Sequence, residues 1–83
     1  MNKERWQFHM VNLAAHLEST QEVDYPEGTK LQEIFCDALA WLDNIANTGH
    51  LSVTRMKIGT KYVHAGGGRW ERQIYRSQTE APQ

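Results

Sequence analysis

VTRMKIGTKYVHAGGGRWERQIYR, residues Val53–Arg76, packs six basic side chains, a tryptophan, two tyrosines and a histidine into runs broken by glycine. Ile58-Gly59-Thr60-Lys61 puts glycine at the first central position of a two-residue loop, the signal of a type II′ hairpin. Closing that turn pairs Ile58 with Lys61, Lys57 with Tyr62, Met56 with Val63 and Arg55 with His64. Met56, Ile58, Val63 and Ala65 then share one face, and Arg55, Lys57, Tyr62 and His64 share the other. The apolar face is expected to lie against helices.

Gly66–Gly68 forms the second break. A Gly66-Gly67 turn sets Val63 opposite Trp70 and adds Trp70 and Ile74 to the apolar face, with Arg72 as an intruder. A three-residue loop moves both to the opposite face in exchange for Arg69 and Tyr75. Burial favours the first register, which leaves Arg55, Lys57, Tyr62, His64, Arg69, Glu71, Gln73 and Tyr75 on the polar face. A competing reading makes Arg69–Arg76 a short helix with Trp70 and Ile74 one turn apart.

Upstream of this region the period is helical. From Lys3 to Ser19, the residues Trp6, Met10, Leu13, Ala14 and Leu17 recur at the steps of an amphipathic helix, and Phe8, Val11 and Ala15 widen its apolar side. Thr20–Gly28 (TQEVDYPEG) breaks the pattern with charge, proline and glycine, and reads as the turn of a helical hairpin. Thr29-Lys30-Leu31-Gln32 has the form of a capping box. A second helix follows over residues 30–47, its core stripe running Leu31, Ile34, Phe35, Ala38, Leu39, Trp41, Leu42, Ile45 and Ala46, and Gly49 is suited to end it.

The expected fold is therefore α+β: an N-terminal two-helix hairpin, helices about 3–19 and 30–47, packed on a C-terminal three-stranded antiparallel meander with strands about 51–58, 61–65 and 69–76. One domain is expected over residues 1–76, with a flexible tail at 77–83. At 83 residues the core is thin. The single cysteine, Cys36, permits no internal disulfide. Met1 leads into Asn-Lys-Glu-Arg with no long apolar run after it, so neither signal peptide nor membrane span is expected, and a cytoplasmic location follows.

The net charge of −1 hides an asymmetry. Residues 1–50 hold three basic against eight acidic side chains, whereas residues 51–83 hold six against two. The halves either attract one another in the fold or present charged faces to a partner.

Signatures of catalysis are missing: there is no nucleophile elbow, phosphate-binding Walker loop or zinc-protease His-Glu pair. His9 and His16 lie seven apart without a third ligand, which is poor evidence for a metal. The sequence thus points away from an enzyme, a cofactor and a bound metal, and toward binding. Arg55, Lys57, Tyr62, His64, Arg69 and Tyr75 are the candidate contact residues. The first reading is a small binding protein that blocks or sequesters a larger protein or protein–nucleic acid complex, a size class that includes phage-borne inhibitors of bacterial defence such as anti-CRISPR proteins. The alternative is nucleic-acid or nucleotide binding by the basic, aromatic sheet face, with phosphates on Arg and Lys and bases on rings. The overall acidic balance, pI near 6.4, weighs against that alternative. Spare apolar surface on the first helix offers a homodimer contact.

Overall fold

The computed structural model describes residues 2–46 and 48–74. Its elements are β1 (Lys3–Asn12), β2 (Leu17–Pro26), α1 (Leu31–Ile45), β3 (His50–Arg55), β4 (Thr60–Gly66) and β5 (Arg69–Ile74). The five strands form one antiparallel sheet in the order β2-β1-β3-β4-β5, and α1 packs on one of its faces. The expected two-helix hairpin on a three-stranded meander is therefore wrong. Among the described residues the fold has one helix, and strand is the prevailing element.

The error lies in Lys3–Ser19, where two periods compete. A step of two also runs through the segment: Glu4, Trp6, Phe8 and Met10 are buried, while Lys3 and Arg5 are exposed and Gln7 and His9 half-buried. Of the supposed helical stripe, Leu13 and Ala14 fall in the β1–β2 turn and Leu17 opens β2; Leu13 is 76% exposed. Asn12 closes that turn, its Oδ1 accepting from the Ala15 amide at 3.0 Å. β1 also bonds to strands on both sides, β2 and β3. A central strand thereby gains two ladders of backbone hydrogen bonds as well as the burial of its apolar row.

Thr20–Gly28, expected as a turn, is mostly β2. As an edge strand it needs little apolar content; Val23 and Tyr25 alone lean on the core, while Glu18, Glu22 and Asp24 take the outer face.

α1 was correctly located. Ile34, Ala38 and Leu42 are buried at steps of four against Trp6, Phe8, Met10, Leu51 and Val53, and these eight side chains are the core. The capping box does not form. Lys30 is the N-cap residue without a side-chain cap, and the Thr29 hydroxyl donates to the Pro26 carbonyl at 2.6 Å instead. After the helix, Gly49 takes a φ of 145° where the chain re-enters the sheet, and a Cβ there would stand 3.2 Å from the Val11 carbonyl oxygen.

The β3–β4 hairpin closes earlier than expected. Met56–Gly59 is a four-residue turn, with the Gly59 amide donating to the Arg55 carbonyl at 2.8 Å, and Arg55 pairs with Thr60 rather than His64. The offset is even, so Arg55, Tyr62 and His64 do share a face, but it is the face beneath α1. Val63, expected inside, pairs with Ser52 on the open side. At the β4–β5 turn a bulge at Ala65 sets His64 opposite Trp70, one residue off the expected register. Residues 69–74 are strand, which disposes of the helical alternative there. The first-helix dimer surface disappears with the helix that would have carried it. The tail at 77–83 lies outside the described residues.

Candidate functional site

One end of the sheet gathers three of the residues singled out from sequence. β1 begins there, β3 ends there, and the β3–β4 turn projects from it. Arg55 closes β3 with its side chain on the helix side, and its Nε donates to Glu4 Oε2 at 2.6 Å. Glu4 is 6% exposed, so its carboxylate depends on this partner, and the same hydrogen bond raises the affinity of the guanidinium for its proton. Tyr62, opposite Val53, lies against Trp6 with ring centroids 6.2 Å apart. With Pro26, Gly28, Thr29 and Leu31 these four residues line a cavity of about 240 Å³ at the entry to α1.

Beside the cavity stands the Met56–Gly59 turn. Lys57 Nζ reaches Glu27 Oε2 at 3.5 Å, next to Pro26 and Gly28 of the cavity wall. Met56 and Ile58 flank it and are 42% and 58% exposed; both were expected in the core. Their exposure follows from the turn: once the chain reverses over residues 56–59, neither residue belongs to a strand or reaches the helix.

The remaining candidates lie apart. His64 is at the other end of β4, 4.9 Å from Trp70 by ring centroids, and lines a shallow groove with Leu39, Leu42 and Asp43. Arg69 is exposed at the start of β5, with Nη2 3.7 Å from Glu71 Oε2. Tyr75 lies outside the described residues. The polar sheet face expected from sequence does not exist as a unit, because Arg55, Tyr62 and His64 lie on the side of α1 whereas Glu71 pairs with Val63 on the open side. On the helix side Phe35 meets Tyr62 edge-on at 5.3 Å and stacks on Trp70 at 4.1 Å.

The face of the sheet that is free of helix is polar and internally paired. Arg5 bridges Asp24 at 3.2 Å and Glu22 at 3.4 Å, with its pKa raised chiefly by the bond to Asp24, and His9 Nε2 lies 2.7 Å from Glu18. Among the described residues no cluster of three or more His, Cys, Asp or Glu is placed to hold a metal ion. No described helix is long and apolar enough to cross a membrane.

Glu4, Trp6, Leu31, Met56 and Ile58 were missed as site residues. Glu4 did leave a signal: an acid at the head of the row Glu4, Trp6, Phe8, Met10 is an acid on a buried strand face, which requires a cation from a neighbouring strand. Comparison with known proteins adds no assignment: no family model matches the chain, and no curated protein or solved structure matches it with significance.

Proposed function

We propose that the chain is a non-catalytic protein-binding module that acts by occupying the surface of a larger protein, using the end of the sheet formed by the Met56–Gly59 turn and the cavity beside it. The observation that carries this reading is the exposure of Met56 and Ile58 next to an aromatic-floored cavity. Apolar side chains held out on a short turn, with a pocket for one partner side chain and charged residues at the rim, supply what protein interfaces concentrate their energy in. Inhibition of a defence complex, the use suggested by the size of the chain, is one form such occupation takes.

The nucleic-acid reading has less support. Arg5, Arg55, Lys57 and Arg69 each face a carboxylate of the same chain, so the charge available to phosphates is smaller than the count of basic residues implies. Short labelled single strands of DNA or RNA are expected to show no change in fluorescence anisotropy with added protein. Binding that weakens steeply with salt would reinstate that reading.

For the protein-binding reading, the immobilised chain is expected to retain a stoichiometric partner from a lysate of its source cells. A Met56→Asp/Ile58→Asp variant should lose it while keeping the wild-type circular dichroism spectrum. Recovery of no partner, or equal recovery by the double variant, removes the proposal.

A further inference from the structure

Among the described residues β5 pairs with β4 alone, so no described strand meets the backbone donors and acceptors of its outer edge. β2 is the other edge, and the two differ in how they would meet a copy of themselves. In a two-fold antiparallel pairing, residues on one face stay on one face, so each alignment is centred on a single residue. On β2, any centre from Thr20 to Asp24 sets an acid among Glu18, Glu22 and Asp24 opposite another. That edge repels its own copy.

β5 behaves differently. Centring on Trp70 places Arg69 of each copy opposite Glu71 of the other, two opposite-charge pairs across the seam, with the two Trp70 residues facing one another. Centring on Arg69, Glu71 or Arg72 sets like charges in contact, and centring on Gln73 brings no opposite charges together. Within the chain Arg69 and Glu71 are 3.7 Å apart and both well exposed, so each is available to a second partner.

The helix-side face supports the same alignment. Trp70 is half-buried on Phe35 and borders an apolar groove of about 420 Å³ lined by Leu31, Phe35, Cys36, Leu39 and Gly68. Centring on Trp70 brings Arg72 of the second copy opposite Gly68, where no side chain obstructs the groove. Its aliphatic stem then covers apolar surface, and its guanidinium approaches the Trp70 and Phe35 rings. The Ala65 bulge has a role in this, since it is the shift that turns Trp70 to the helix side.

We propose that β5 is a self-association edge, along which two copies pair antiparallel about Trp70 to form one continuous ten-stranded sheet. The contact is independent of the Met56–Gly59 surface and leaves it free. A six-residue seam is short, so the dimer belongs in the transient class.

The test is solution mass by sedimentation across a wide concentration range. Wild type is expected to pass from the 9.6 kDa chain to twice that mass as concentration rises. Arg69→Glu and Glu71→Arg each create two like-charge contacts and should weaken the dimer roughly tenfold. Mixing the two single variants restores opposite charges at both contacts, so the mixture should associate about as well as wild type. The double variant, Arg69→Glu with Glu71→Arg, should do so as well. Both positions are exposed, and an unchanged circular dichroism spectrum confirms that each variant is folded. A wild type that stays monomeric to roughly millimolar concentration, single variants that dimerise like wild type, or a mixture no better than either component would each overturn the proposal.

Discussion

Glu4 and Arg55 show how one residue's burial constrains another far away in sequence. The Glu4 carboxylate is buried at the head of an apolar row, and the Arg55 Nε at 2.6 Å is its compensation. Arg55→Ala is expected to destabilise the fold by about 2 kcal/mol, because it strands a charged acceptor. Arg55→Ala combined with Glu4→Leu should recover part of that loss. Urea denaturation measures both, and equal stability of wild type and the single variant would show that the pair contributes nothing.

Tyr25 and Asp37 tie β2 to α1 through a 2.7 Å hydrogen bond in which the phenol donates. Burial, followed by that bond, raises the tyrosine pKa well above its ordinary 10.0. A group whose folded pKa is raised binds its proton more tightly in the folded state. Its contribution is therefore fully present below pH 10 and is lost as the pH rises beyond it. Tyr25→Phe should lower stability by about 1 kcal/mol at neutral pH. Across the same alkaline range the gap between wild type and variant should close, which denaturant midpoints taken at successive pH values will show.

At the scale of elements, α1 was legible because its apolar stripe repeats at one period for four turns with no rival reading. β1 was not, because Trp6, Met10 and Leu13 satisfy a helical spacing while Trp6, Phe8 and Met10 satisfy a strand, and only pairing with both β2 and β3 decides between them. β2 left almost no signal, since an edge strand with one lightly covered face carries the polar composition of a loop. The candidate site was half legible for the same reason. Arg55 and Tyr62 were rightly placed on one face, but the turn between them was drawn two residues too tight, and that face was assigned to solvent rather than to the helix. The start of α1 carries its own prediction. Lys30 stands as N-cap with no side-chain bond and with its positive charge at the positive end of the helix dipole. Lys30→Asp should raise stability by about 1 kcal/mol, whereas Thr29→Ala should leave α1 itself unchanged, because that hydroxyl serves Pro26. A Lys30→Asp variant no more stable than wild type in thermal melts would show the first turn to be satisfied already.

For the whole molecule, the deciding quantity is how little holds it together. Among the described residues a single helix covers the middle of a five-stranded sheet and the core is eight side chains, and the one cysteine of the chain allows no internal disulfide. A chain of this length has a total stability of about 4–12 kcal/mol by the usual per-residue range. Phe8 is 2% exposed at the centre of that core, with its ring 5.7 Å from Trp41. Truncating such a residue costs about 3–5 kcal/mol. Phe8→Ala is thus expected to remove about a quarter or more of the stability and to lower the urea midpoint in proportion, in one cooperative transition seen alike by tryptophan fluorescence and far-ultraviolet circular dichroism. Because Phe8 belongs to the sheet and Trp41 to the helix, the two signals should fall together. Loss of the fluorescence change before the circular dichroism change would mean that α1 detaches from a sheet that persists without it, and the layer contact would then be a weaker part of the fold than its burial implies.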